Sequence, residues 1–204
     1  MKFLGGYYVF PGGTVHAGDH SSQVLKRCLG LSGKQARSIL GGEHPDHVAL
    51  GHWVAVFREL FEEVGVLLCT TEDGLHVHIG EERKNEFERQ RQAIVNDRLD
   101  FGSFLESEDL YCDLSRVVYF DHWVTPEIYS MRFDTRFYLA RLPNNQHPLE
   151  RSEEVTDSLW ITPAEALTRN DLRDLPLIPP TTTVLRDLAK VNSFGRLCEQ
   201  YFPN

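Results

Sequence analysis

The 204-residue chain lacks any apolar run approaching the ~18 residues that a membrane-spanning helix requires. Its opening, MKFLGGYYVF, is too short and meets glycines too early for a secretory signal peptide. Cysteine is sparse: Cys28, Cys69, Cys112 and Cys198 stand far apart, with no CxxC pair and no zinc-ligand spacing. They read as reduced thiols in a reducing compartment. Positive charge is also short, with 21 Lys and Arg against 30 Asp and Glu. The resulting net charge of −9 argues against a broad nucleic-acid surface. It leaves room for a cation site, or for a small anionic substrate met through metal ions. Internal repeats and low-complexity linkers are absent as well. What remains is an ordinary globular composition, 41% hydrophobic, enough for one domain with a real core or one domain carrying an insertion.

One stretch breaks local rules. In VFRELFEEVGVLL, Glu59, Glu62 and Glu63 crowd together just ahead of Gly65. Trp53, Val56, Phe57, Leu60 and Val64 recur at helical spacing and predict an amphipathic helix over about 46–64, with Pro45 suited to its first turn. Gly65 is placed to end it in a left-handed conformation, and Val66 to Leu68 then read as a buried strand. The bland alternative is a solvated acidic face. Like charges at i and i+4, however, cost a helix about 0.2–0.5 kcal/mol per pair. Arg58 can offset Glu62 only, and acids near a helix C-terminus oppose its dipole. A hard divalent cation resolves the conflict, since Mg²⁺ takes a few carboxylates and completes its shell with water and substrate phosphates. Upstream, YYVFPGGTVHAGD reads as a strand from Tyr7 to Phe10, a Pro-Gly-Gly turn and a polar segment ending at Asp19.

Together these residues resemble the Nudix hydrolases. The second half of that family's signature is complete from Arg58 to Val66, and the first half matches from Gly13 to Gly18. Asp19 stands where the family has glutamate, and residues 20–57 intervene where the family has seven. This split box is similar to the branch holding the peroxisomal coenzyme A diphosphatases of the Nudix motif 19 type. FDHWVTPE, RFDTRFYLA, LWITPAEAL and PPTTTVLRDLA resemble that branch too. The resemblance implies an α+β Nudix fold, a mixed sheet between helices, as a single domain over 1–204. Residues 20–45 would be an insertion within the box, 81–110 a helical insertion and 180–204 C-terminal helices. Relatives carry at least one strand before Phe-Pro-Gly-Gly, whereas six residues precede Tyr7 here; a missing strand would expose a sheet edge unless the chain fills it another way.

The resemblance further implies metal-dependent hydrolysis of a pyrophosphate bond, with Mg²⁺ or Mn²⁺ as cofactor. The favoured substrate is coenzyme A or an acyl-coenzyme A, giving adenosine 3′,5′-bisphosphate and a 4′-phosphopantetheine product. Glu59 and Glu63 match the family's metal positions, Glu62 is a third ligand or the base, Arg58 orients the glutamates, and the Gly13 carbonyl joins the metal shell. Glu127, Glu153 and Glu154 are candidates for one additional carboxylate. ADP-ribose, a nucleotide sugar, a dinucleoside polyphosphate and an RNA cap stand as alternative substrates. A non-catalytic Nudix-like nucleotide-binding module is the alternative of another class, and Asp19 and the absent strand favour it. The chain ends in YFPN, without the Ser-Lys-Leu type of address carried by peroxisomal relatives, so cytoplasm is the default compartment, with peroxisome and mitochondrion open.

Elsewhere, LSGKQARSILGG predicts a short helix capped by Ser32 and stopped at Gly41. His44, His47 and His52 raise the idea of a zinc site, but their spacing fits no standard ligand pattern. Residues 81–98, of mixed charge, read as a solvated helix bordering the site, and 101–110 as another helix. SRVVYFDHWVTP and MRFDTRFYLARL predict two strands, and SEEVTDSLWI an acidic loop followed by a strand. Thr162 and Pro163 open a helix, and two more are expected at about 182–190 and 193–200. Trp53, Trp123 and Trp160 read as core aromatics.

Overall fold

A computed structural model describes residues 6–128, 130–149, 152, 155–191 and 193–202. These group into two compact units, one from Pro11–Val117 and Ala140–Ser158, the other from Met1–Phe10, Val118–Leu139 and Leu159–Asn204. Among the described residues, no helix is long and apolar enough to cross a membrane.

The first unit is built around one long helix. A 3-10 turn, Ala17–His20, leads into α1 (Ser22–Leu25), β1 (Cys28–Leu29) and α2 (Gly33–Ile39). Ser32 caps α2 reciprocally with Gln35: the hydroxyl accepts from the Gln35 N–H, and the Gln35 side chain accepts from the Ser32 N–H. The long helix α3 follows at Asp46–Val64, with Pro45 as its N-cap instead of in its first turn. Gly65 ends it at φ 67° and ψ 14°. Its N–H reaches the Phe61 carbonyl at 3.0 Å, and the Val66 N–H reaches Leu60 at 3.1 Å, so two end carbonyls are satisfied.

The helix is buried more widely than its stripe suggests. Trp53, Phe57 and Val64 are buried as expected, but so are Val54, Ala55 and Phe61, while Val56 and Leu60 are only half-buried. The cause lies on later elements, α4 (Glu81–Val95) and α5 (Phe101–Ser107). Phe61 stacks on Phe104 at 5.1 Å between ring centroids, and Phe87 meets the same ring edge-on at 6.2 Å. Thus α4 is not simply solvated, because Phe87, Arg91 and Ile94 turn inward at i, i+4 and i+7. β2 (Cys112–Asp113) pairs with β1 in parallel, Cys28 opposite Cys112. All four cysteines are free.

Val66, Leu67 and Leu68 are buried, yet they form no strand ladder among the described residues. A side chain stands in for a neighbouring strand. The Leu67 N–H donates to the Gln146 carbonyl oxygen at 2.8 Å, and the Gln146 amide donates back to the Leu67 carbonyl at 2.7 Å.

In the second unit, β3 (Val117–Val124) pairs with β4 (Asp134–Ala140), as their alternation predicts. The predicted strand at Tyr7–Phe10 reduces to a single bridge from Tyr8 to Leu177, and Tyr7 and Phe10 stay exposed. LWI also forms no strand. Leu159 and Ile161 pack on a small core of Ala166, Leu175 and Leu185, while Trp160 between them is 78% exposed, so it is not a core residue. Trp123 is half-buried and only Trp53 is fully enclosed. Both misses have one origin: an alternating pattern reports two faces, but a strand also needs a partner edge. The described sheets are therefore two pairs and not one larger mixed sheet, although the α+β class stands. Helix α6 (Pro163–Asp171) is capped by Thr162 as expected. α7 (Pro179–Ala189) begins three residues before the predicted start, because Pro179 and Pro180 suit a first turn, and α8 (Phe194–Tyr201) starts after the Ser193 cap.

Candidate active site

The site is assembled around the Arg58 guanidinium, whose side chain is only 6% exposed. Its Nε donates to Asp19 Oδ1 at 2.8 Å and Nη2 to Asp19 Oδ2 at 2.9 Å, a two-pronged bond. Nη2 also reaches the Thr14 carbonyl at 2.8 Å, and Nη1 divides between Glu59 Oε1 at 2.8 Å and Glu62 Oε2 at 3.1 Å. All five N–H donors of the fork have a partner. Asp19 is 1% exposed and also accepts from the His16 N–H at 2.8 Å, which closes the 3-10 turn on itself. The two halves of the motif, separated by residues 20–57 in the chain, are thus joined by one buried ion pair. Asp19 needs no glutamate's extra methylene, because the 3-10 turn brings its carboxylate to Arg58.

The glycine turn sits against the same cluster. The Gly12 N–H donates to Glu63 Oε2 at 2.9 Å. A Cβ placed on Gly13 would lie 2.4 Å from Glu59 Oε1 and 2.7 Å from its carboxyl carbon, so only glycine permits this approach. Glu59 and Glu63 therefore meet the Pro-Gly-Gly turn while Glu62 turns to Arg58, so the three are not spread on a solvated face. Glu59 is 8% exposed. Burial raises its carboxyl above the ordinary carboxylate value, against the pull of Arg58. Burial likewise pushes Glu62 up to about 7, again opposed by Arg58 and assisted by the neighbouring Glu59. Burial pulls the Arg58 guanidinium down, but Asp19 and the two glutamates outweigh it and hold the group above its ordinary value.

Among the described residues, no three His, Cys, Asp or Glu side chains form a ready-made ion cage. Glu59 and Glu62 turn toward Arg58 instead. The donor set nevertheless fits a hard divalent ion: carboxylate oxygens gathered beside a glycine backbone, in a place a Cβ would fill. Mg²⁺ binds through one or two carboxylates plus substrate phosphates, so a complete protein cage is not required.

Glu127 belongs to the second unit, where its exposed side chain faces Arg132 at 3.8 Å. Glu153 and Glu154 lie outside the described residues. The histidines divide into two couples, His44 with His52 at 5.0 Å and His20 with His47 at 5.5 Å between ring centroids. Sequence reasoning overlooked Arg91, which reaches the Glu62 carbonyl from α4. The signal available was its spacing with Phe87 and Ile94.

A family model, NUDT19 Nudix domain, matches residues 1–188. The chain is 26% identical to acyl-coenzyme A diphosphatase NUDT19 of Xenopus laevis and 28% identical to the Gallus gallus protein of that name. It is 28% identical to putative nudix hydrolase 7 of Caenorhabditis elegans. Each match covers 98% of this chain, but the chain spans 63%, 64% and 56% of those proteins, respectively. A crystal structure of a Nudix hydrolase from Alicyclobacillus acidocaldarius superposes with a TM-score of 0.73 at 26% identity, over 98% of this chain and 83% of that one. With the family matched over most of its length and the fold shared, the chain belongs to the Nudix hydrolase family, within its NUDT19-type branch.

Proposed function

We propose that the protein hydrolyses the pyrophosphate bond of a nucleoside diphosphate derivative, with coenzyme A or an acyl-coenzyme A as substrate. On this reading residues 1–204 act as a single Nudix domain, and the products are adenosine 3′,5′-bisphosphate and (acyl-)4′-phosphopantetheine. The observation that carries the proposal is the seating of the Gly12–Gly13 turn against Glu59 and Glu63, with Arg58 anchored to Asp19 beside them. The coenzyme A choice is supported by the names of the two vertebrate relatives, both acyl-coenzyme A diphosphatases.

Glu59 and Glu63, with the Gly13 carbonyl, would hold Mg²⁺ or Mn²⁺. Such ions supply charge neutralisation on a diphosphate and acidify water at neutral pH. The chain's own part is positioning. Arg58 restrains the Glu59 and Glu62 carboxylates, and the glycine turn lets a diphosphate approach backbone without a side chain in the way. Glu62 serves either as a further ligand or as the base. Glu62→Gln distinguishes these roles: a lost ligand weakens Mn²⁺ binding, whereas a lost base lowers kcat with Mn²⁺ affinity intact.

The test is product analysis after incubating the intact protein and Mg²⁺ with coenzyme A, ADP-ribose and a nucleotide sugar. Release of adenosine 3′,5′-bisphosphate from coenzyme A in preference to turnover of the others supports the proposal. Preferential turnover of ADP-ribose or the sugar nucleotide moves the substrate within the family. Nucleotide binding without any metal-dependent turnover supports a binding module instead. Asp19 argues less for that module than its sequence suggests, since it serves Arg58 and removes no acid from the glutamate group.

A further inference from the structure

We propose that Arg91, on α4, is a positioning residue for the glutamate-bearing end of α3; this rests on the hydrolase reading of the same site. The last turn of a helix leaves carbonyls beyond the reach of its own N–H groups. In α3 the Phe61 carbonyl accepts from Gly65 N–H at 3.0 Å, and the Val64 carbonyl from Leu149 N–H at 2.8 Å. The Glu62 carbonyl between them accepts from Arg91 Nη1 at 2.5 Å. This guanidinium is 4% exposed and is itself clamped by Glu88, Nε to Oε2 at 2.9 Å and Nη2 to Oε1 at 2.6 Å.

The arrangement answers the conflict seen in the sequence. Three acids stand at the negative end of a helix dipole, and no cation near them in the chain offsets all three. Arg91, already paired with Glu88, comes to that end from a separate helix and ties down its backbone. Burying a guanidinium is costly unless it is fully engaged, and an apolar side chain would fill the space more cheaply. The residue at 91 therefore does more than fill. Its pair with Glu88 is nearly neutral, so its contribution is a fixed backbone more than a field. Glu62 is held on both sides, its carbonyl by Arg91 and its carboxylate by Arg58. The turn that carries Glu59 and Glu63 to the glycine loop, and Glu62 to Arg58, is thereby held in register.

The experiment compares the intact protein with Arg91→Met, Arg91→Lys, Glu88→Gln and Ile94→Ala. Ile94 is buried on the same helix and serves as the control for simple destabilisation. The readouts are Mn²⁺ affinity by electron paramagnetic resonance without substrate, kcat and KM for coenzyme A, and thermal midpoint. Supporting contacts behind metal-site residues change affinity or activity by about 10–100-fold. Arg91→Met is accordingly expected to weaken Mn²⁺ binding and lower kcat by about tenfold each, with KM within about twofold. Arg91→Lys recovers part of both, Glu88→Gln shows a smaller loss, and Ile94→Ala lowers the midpoint while leaving both parameters intact. The proposal is overturned if Arg91→Met matches Ile94→Ala in both parameters. It is equally overturned if Mn²⁺ binds tighter, the sign expected of a merely repelling cation. Should Arg91→Met not fold, unchanged Mn²⁺ affinity and kcat in Glu88→Gln overturn it. Absence of turnover in the unmodified protein sinks the hydrolase reading itself, while the Mn²⁺ arm still decides whether Arg91 orders the turn.

Discussion

At the scale of the residue, Gly13 and Glu59 are coupled by space. Gly13→Ala puts a methyl into the Glu59 carboxylate, and the flexible end of that side chain must swing away. Stability should change by about 1 kcal/mol or less, because no backbone atom is struck. Turnover should fall at least roughly tenfold, because the displaced oxygen is a proposed metal donor. Thermal melts and steady-state kinetics on one preparation check both halves. Glu63→Gln keeps shape and removes charge; the proposed coenzyme A hydrolysis is expected to fall roughly hundredfold or more with the far-UV spectrum unchanged. Full Mg²⁺-dependent activity in that variant would remove Glu63 from the mechanism. Residues 58 to 65 were legible because their types and spacing conflict with an ordinary surface helix. Arg91 was not, because a cation's target on another helix leaves no trace in its own neighbours.

At the scale of the element, the question is how a short 3-10 turn and a long helix remain joined across residues 20–57. The Asp19–Arg58 pair is the joint, with side chains 2% and 6% exposed. Removing one partner of a buried pair costs about 3–5 kcal/mol, because the other charge is stranded. Asp19→Asn is expected to fall near the lower end, since Glu59 and Glu62 still face Arg58, and chemical denaturation measures it. The same variant should lose activity beyond its stability loss, because the Arg58 fork is freed to turn. The bounds of α3 and its left-handed stop at Gly65 were readable from periodicity and the glycine. The strand expected at Val66–Leu68 was not readable as a non-strand. Its partner is the Gln146 amide, and nothing local announces a side chain acting as a neighbouring strand.

At the scale of the whole molecule, acid should unfold the protein through its paired carboxylates. Glu88 is held below its ordinary value by Arg91, and Asp100 by its bonds to Ser103. Burial raises Asp113 and Glu108, but Ser115 and Arg116 outweigh it for the first, and Gln90 and Arg83 for the second. A depressed folded-state value means stability fully present above the ordinary carboxylate range and lost as pH falls through the folded value. The urea midpoint is thus expected to fall as pH drops below about 4, and Asp113→Asn should flatten that fall while lowering the midpoint at pH 7. Glu59 and Glu62, whose carboxyls are raised, carry the opposite sign and do not add to that loss. A midpoint that rises on acidification through the same window would contradict the assignment.

Sequence alone determined the α+β class, the family, the bounds of α3, the capped helices α2 and α6 and the pairing strands β3 and β4. These depend on interactions within a few residues, or on a pattern a strand or helix must display to bury one face. Tertiary structure alone decided that Asp19 meets Arg58, that Gly13 lies on Glu59, that Arg91 closes the end of α3, and that Tyr7–Phe10 and Leu159–Ile161 stay outside any ladder among the described residues. Each depends on a partner far along the chain. A buried charge or an unpaired edge is settled by what folding brings to it, and side-chain type states only the need for a partner.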